Sequence, residues 1–295
     1  MSISAAVDRI LERIESAEVL DKPSEYLAAA VGKALPKGKL QDLVSGTPLG
    51  HPLHPVLVAI PIGSWTAASY LDATFGDRSA ARKLVGFGVL AALPTALSGA
   101  NDWATTAGAE RRVGLVHALL NDVALALYTG SWLARRRGRH LRGAGLALAG
   151  ATVLGAAGWL GGHLAYGLGI GVDTTAFQQF PEQWTDVAAE ADVPASQGIA
   201  GDVEGVAVLL ARHDGQIIAL SDRCTHRGGP LHEGSIDAGC VTCPWHESVF
   251  ALADGSVLSG PATRPQPVAE VRVVDGRVQV RRRSERTLRS NPVGH

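Results

Sequence analysis

Apolar positions recur with three different periods along this chain. Over residues 3–14, Ile3, Val7, Ile10, Leu11 and Ile14 fall on one side of a 3.6-residue repeat, with Asp8, Arg9, Glu12 and Arg13 elsewhere. That spacing predicts a short amphipathic helix. Ser24 and Glu25 open a run to Leu35 that predicts a second helix, capped by Ser24 and stopped by Pro36. From residue 55 the polar face disappears. The stretches 55–75, 84–103, 113–134 and 144–171 are apolar, each near the roughly 20 residues that span hydrocarbon. A soluble helical core is the competing reading, because Asp72, Asn121, Asp122, Pro61 and Pro94 interrupt the apolarity. Four such stretches in a row, however, would leave a soluble bundle almost no polar face. Residues 172–183 read as a linker, after which the period becomes two. Residues 206–221 predict two strands turning at Asp214 and Gly215, and V-A-E-V-R-V-V-D-G-R-V-Q-V predicts a second hairpin turning at Asp275 and Gly276. The expected architecture is therefore multidomain: amphipathic helices over 1–46, an all-α four-helix transmembrane bundle over 47–172, a linker over 173–182, a small antiparallel β domain over 183–282, and a basic tail over 283–295.

Composition narrows the chemistry. The 295 residues are 46% hydrophobic and only 19% charged, and 27 basic side chains nearly balance 28 acidic ones. No global field favours nucleic acid, so none is expected as a partner, whereas a lipid bilayer is. The 35 glycines with few aromatics suit close-packed membrane helices. Met1 is the only methionine and no C-x-x-C-H run occurs, which excludes a His/Met haem and a c-type haem. No basic n-region leads into a cleavable apolar core, so the N-terminus is expected to be retained.

Cys224-Thr-His226 and Cys243-Pro-Trp-His246 place one cysteine and one histidine in each of two loops. Two thiolates can hold one iron of a [2Fe-2S] cluster while two neutral imidazoles hold the other. Zinc accepts the same donors tetrahedrally, but a zinc knuckle pairs cysteine with cysteine in one turn. The runs C-T-H-R-G-G-P-L and C-P-W-H-E-S-V-F resemble the two cluster loops of Rieske proteins, and G-P-A-T-R-P-Q-P-V resembles their third, proline-containing loop. The resemblance implies a Rieske [2Fe-2S] cluster with Cys224 and Cys243 on one iron and His226 and His246 on the other. Two departures stand out. Gly229 and Trp245 occupy the places where the respiratory branch has a further pair of cysteines. That leaves only Cys240 unassigned and brings the domain closer to the soluble ferredoxin branch. Glu247 stands where the family often has glycine. His232 is expected to serve loop packing.

The apolar segment carries its own histidines: His51 and His54 in G-H-P-L-H-P, His117 in H-A-L-L-N and His163 in G-G-H-L. With four spans, all four are expected near the face bearing the cluster domain. These boxes resemble a family of four-helix bacterial membrane domains of unknown function, often joined to redox modules. Ionisable groups within membrane helices are functional candidates by default. His117 and His163 are the first pair for a b-type haem, with His51 and His54 as alternates or as quinone and proton partners. Interhelical hydrogen bonding is the plainer use, with His117 and Asn121 one turn apart.

These readings predict a multi-pass cell-membrane protein that transfers single electrons, relaying them between a quinone or haem site and an unidentified redox partner protein. A quinone-reactive oxidoreductase component and a redox-sensing membrane protein are the alternatives. No mononuclear-iron catalytic domain is expected on this chain, and whether it is an enzyme in itself is left open. Eight cations (Arg78, Arg82, Lys83, Arg135, Arg136, Arg137, Arg139 and Arg142) follow the first and third stretches, against Lys33, Lys37, Lys39, Arg111 and Arg112 at the opposite ends. The positive-inside rule then puts the cluster domain outside the cytoplasm. The lack of a disulfide points the other way.

Overall fold

The computed structural model describes residues 3–283; the tail from residue 284 lies outside the described residues. The chain forms two compact units. One comprises Met1–Ser45 and Pro52–Ile170, the other Gly46–His51 and Gly171–His295.

The first unit is helical. Helices α1 (Ile3–Glu15), α2 (Asp21–Ala34) and α3 (Lys39–Ser45) precede four long ones, α4 (Leu53–Ala73), α5 (Arg78–Ala104), α6 (Gly108–Arg136) and α7 (His140–Gly162). The last continues as a π turn over His163–Gly167. All four long helices are long and apolar enough to cross a membrane. They overrun the apolar stretches at most of their ends, because helical hydrogen bonding continues where lipid-matched composition stops. Asp77 shows how: its carboxylate accepts from the N–H groups of Ser79 and Ala80, starting α5 before the basic residues Arg78, Arg82 and Lys83. The expected cap at Ser24 is not used. α2 begins at Asp21, and the buried Ser24 hydroxyl instead donates to the Asp21 carbonyl at 2.8 Å.

Trp65, Ala68, Val85, Tyr128 and Ala147 form the heart of this unit. The Trp65 and Tyr128 rings stack at 4.0 Å, nearly parallel. At one end, Arg135 is only 1% exposed and grips Asp72 with both terminal nitrogens, while its Nε donates to Ser131 Oγ at 3.1 Å. The amphipathic helices are tied on by apolar and ionic contacts. Leu11 packs with Val113 and Leu160. Arg112 pairs with Asp21 at 2.6 Å and donates to the Glu15 carbonyl.

The second unit is antiparallel β. A six-stranded sheet has the order β1 (Thr185–Ala189), β10 (Arg277–Arg282), β9 (Val268–Val274), β4 (Gln216–Ser221), β3 (Val206–His213), β2 (Ile199–Val203). A smaller sheet runs β5 (Ser235–Asp237), β6 (Cys240–Thr242), β7 (Val249–Ala251), β8 (Val257–Ser259). Both expected hairpins are present, with His213 facing Gln216 and Val274 facing Arg277. Their turns, Asp214-Gly215 and Asp275-Gly276, have positive φ at both positions, the geometry that matches the twist of the flanking strands.

The helical domain was expected to start at 47, yet Gly46–His51 belongs to the β unit. The Thr47 hydroxyl donates to the Gly260 carbonyl at 2.7 Å and lies 3.2 Å from that of Ala262. Downstream, Thr174 donates through its hydroxyl to the Cys224 carbonyl at 2.8 Å and through its N–H to that of Thr225 at 3.2 Å.

Candidate metal centre

Two loops at one end of the β unit carry the four expected ligands, and their backbones follow one pattern. The Cys224 N–H donates to the Gly229 carbonyl at 2.9 Å while the Gly228 N–H returns to the Cys224 carbonyl at 2.8 Å. The Cys243 N–H donates to Ser248 at 2.8 Å while the Glu247 N–H returns to Cys243 at 3.0 Å. Each loop thus closes on its own cysteine and turns the next N–H groups toward that sulfur. Cys224 Sγ accepts from the N–H of His226 and Arg227, and Cys243 Sγ from those of Trp245 and His246. Such a nest favours thiolate.

The two thiols are hydrogen-bonded to each other. Cys224, donating to Cys243 and buried, is pushed above the ordinary thiol range. Cys243, accepting that bond and the two backbone donors against the cost of burial, is lowered to about 6. Burial, helped by the charges of His246 and Arg227, lowers His226 to about 3, which keeps it neutral, the form that binds metal. Its Nδ1 is buried without a hydrogen-bond partner, and its ring meets His246 edge-on at 5.0 Å. A buried imidazole nitrogen lacking a partner, beside a second imidazole and near a paired set of thiols, fits a cluster held by two sulfurs at one iron and two nitrogens at the other. Among the described residues, no three His, Cys, Asp or Glu side chains gather round one point.

Glycines set the spacing of the loops. A Cβ on Gly229 would lie 2.8 Å from Cys243 Sγ and 3.1 Å from the Trp245 ring. The indole therefore packs over Gly229, at the two places where the respiratory branch has cysteines. Gly260, at φ +92°, brings the third loop within 2.7 Å of the Ser248 Cα for any added Cβ. There the Ala262 N–H donates to the Ser248 hydroxyl oxygen at 3.0 Å, leaving its proton free to donate elsewhere.

Residues not singled out from sequence hold these loops. Gln266, 2% exposed, donates to the carbonyls of Ser221 and Arg223 and accepts from the Thr225 N–H. Asp222 accepts from both the N–H and the Nδ1 of His232 at 2.7 Å, giving His232 its place in loop packing. Neither has a local sequence signature, since each acts on a loop distant in the chain. Phe250 is fully buried in the same apolar cluster as Cys224 and Cys243. Cys240 lies on β6, half-buried and 3.6 Å from the Ala238 carbonyl.

The helical-unit histidines separate into different settings. His54 Nδ1 lies 3.0 Å from the Thr95 carbonyl, and His117 Nδ1 lies 2.8 Å from that of Ala157. Asn121 reaches His117 Nε2 at 3.2 Å. His163 Nε2 is held at 2.8 Å by Glu15 of α1, with its ring parallel to Trp159. His163 is thus engaged with α1, and His51 lies in the β unit.

Comparison with known proteins is informative for both units. Residues 183–276 match the Rieske [2Fe-2S] domain family, and residues 50–174 match a predicted membrane protein family, DUF2231. The anthranilate 1,2-dioxygenase ferredoxin subunit of Burkholderia cepacia is 36% identical over 89 residues, which is 30% of this chain and 79% of the relative. Ferredoxin CarAc of Metapseudomonas resinovorans is 34% identical over 98 residues, 33% of this chain and 92% of the relative. A Rieske domain-containing protein of Homo sapiens is 34% identical over 88 residues, covering 28% and 56%.

Proposed function

Because this chain belongs to the Rieske [2Fe-2S] family and joins that domain to a DUF2231 membrane domain, we propose that it is a multi-pass membrane electron carrier. It passes single electrons between a quinone or haem site in the helical unit and a redox partner protein. When bound, the cluster supplies a one-electron couple, raised above that of all-cysteine clusters by its two imidazole ligands. Cys224 and Cys243 hold one iron as thiolates within their backbone nests. His226 and His246 hold the other as neutral imidazoles. Ser248, fixed by Ala262, orients its hydroxyl proton toward the ligand loops, and the half-exposed Trp245 offers an apolar surface beside His246 to a docking partner. The ferredoxin relatives, subunits and components of dioxygenase systems, support a separate protein as that partner.

The observation that carries this reading is two loops of matched backbone, each bearing one cysteine and one histidine, with the two thiols bonded to each other and the two imidazoles edge-on at 5.0 Å. Full-length protein purified in detergent should contain two irons and two acid-labile sulfides per chain, with a reduced EPR signal whose average g lies below that of an all-cysteine cluster. His226→Ala and Cys243→Ala should abolish the signal, while Cys240→Ser leaves it intact. Rapid mixing with quinol or with a ferredoxin reductase should reduce the cluster. Stoichiometric zinc without sulfide would refute the cluster, and a cluster inert to both donors would refute the carrier role.

A further inference from the structure

The helical unit contains an internal repeat that its sequence hardly shows. His54, Trp65, Ala68 and Asp72 on α4 each have a counterpart 63 positions later on α6: His117, Tyr128, Ser131 and Arg135. Val85, Gly88, Thr95 and Gly99 on α5 have counterparts 62 positions later on α7: Ala147, Gly150, Ala157 and Gly161. The burial pattern repeats with the same offsets, Pro61, Trp65 and Ala68 matching Ala124, Tyr128 and Ser131, and Val85, Gly88 and Thr95 matching Ala147, Gly150 and Ala157. Two counterpart pairs also meet each other: Trp65 stacks on Tyr128 and Asp72 pairs with Arg135. Residues that are equivalent and in contact must flank a pseudo-two-fold axis. With two hairpins running in the same order, that axis lies along the bundle, the arrangement of parallel repeats in membrane proteins.

His54 and His117 are related by this axis and are built alike. Each Nδ1 faces a backbone carbonyl on the following helix, Thr95 or Ala157. A carbonyl only accepts, so Nδ1 carries the proton and Nε2 holds a lone pair. Each ring lies over a glycine one turn beyond that carbonyl. A Cβ on Gly99 would be 2.7 Å from His54 Cε1, and one on Gly161 would be 3.0 Å from His117 Cε1. The two imidazoles are within electrostatic reach of each other. Elsewhere the halves have diverged in polarity: Thr95 answers to Ala157, Asn121 to Val58, Asp72 to Arg135. The histidine, its carbonyl and its glycine persist in both.

Resting on the proposed electron-carrier role, the geometry points to His54 and His117 as a symmetric ligand pair presenting two Nε2 lone pairs to one transition-metal centre, a haem iron or a bare ion. An imidazole whose Nδ1–H is fixed by a carbonyl is the usual form of a metal-ligating histidine. Asn121 covers His117 Nε2 in this structure, so the metal displaces an amide from that nitrogen. His163, held by Glu15, is outside the pair.

The test uses the full chain in detergent with its cluster in place. Haem titrated into the protein should give a Soret band shifted to that of a bis-imidazole complex. In a parallel arm without haem, Co²⁺ should give visible bands of nitrogen ligation; a response in one arm alone identifies the source. His54→Ala and His117→Ala should each abolish the response, His163→Ala should preserve it, and Asn121→Ala should preserve or tighten it. The cluster EPR signal recorded on each variant reports folding of the β unit, and thermal unfolding in detergent reports folding of the helical unit. A folded protein that responds to neither probe overturns the inference, as does a response lost in His163→Ala but kept in His54→Ala. Cluster reduction by quinol or a reductase is scored on the same samples, so failure of the carrier role is seen separately.

Discussion

Gly228 and Glu247 hold the same place in the two ligand loops. Each is four residues after its cysteine, returns its N–H to that cysteine's carbonyl, and adopts a left-handed backbone, φ +77° and +59°. Glycine takes this conformation freely, whereas a side chain costs about 1–2 kcal/mol. The second loop therefore stores strain where the first does not, and Glu247, which is exposed, recovers none of it by burial. The departure of this residue from the family pattern is a backbone matter before it is a matter of charge.

Glu247→Gly should accordingly stabilise the β unit. Relief of the left-handed penalty outweighs the extra unfolded-state freedom of glycine, about 0.5–1 kcal/mol, leaving a net gain of up to about 1 kcal/mol. Denaturant midpoints of the cluster chromophore in parent and variant would measure it, and a destabilised variant would contradict the strain argument.

The reduction potential should lie in the lower part of the Rieske range of about −150 to +300 mV. Hydrogen bonds toward the cluster favour its reduced form, and Phe250 supplies none from its buried position. Phe250→Tyr should raise the potential. A bond to a charged group worth about 1.5 kcal/mol corresponds to about 60 mV for one electron. Voltammetry on the two proteins checks the sign and the size.

Asp72→Ala strands Arg135, which is almost wholly buried, and should cost about 3 kcal/mol. The double variant Asp72→Leu with Arg135→Met removes both charges and should recover most of that loss. Thermal unfolding in detergent distinguishes the two. Equal stabilities for the single and double variants would show that the pair is solvated rather than buried.

We propose that the β unit lies outside the cytoplasm, the orientation that the cation count favours. Protease added to right-side-out vesicles should cleave the chain within residues 171–183 or the unit beyond. Protection of the entire β unit would reverse the orientation.

Much of this organisation was legible because it repeats or alternates. Apolar runs marked the four long helices, and Asp-Gly turns with positive φ marked both hairpins. The spacing of Cys224, His226, Cys243 and His246 marked the two loops because each carries its cysteine and histidine within a few residues. The small sheet escaped notice, since three-residue strands are too short to show a period. α3 escaped for a related reason: at seven residues it is held by Ser98 and Asn101 reaching Val44 and Ser45 from α5, not by its own pattern. The pairing of His54 with His117 was hidden by divergence between the hairpins, whose identities differ at most positions while their burial agrees.

The place of Gly46–His51 in the β unit has a consequence for biosynthesis. That unit is assembled from two stretches that flank the long helices, so the first leaves the ribosome well over a hundred residues before the strands it joins. With α4–α7 as spans, the two stretches can meet only if the number of inserted helices is even. A nascent chain that integrates three helices strands Thr47 across the bilayer from the Gly260 carbonyl it binds. With the four helices inserted, completion of the cluster domain would then serve as a parity check on their insertion.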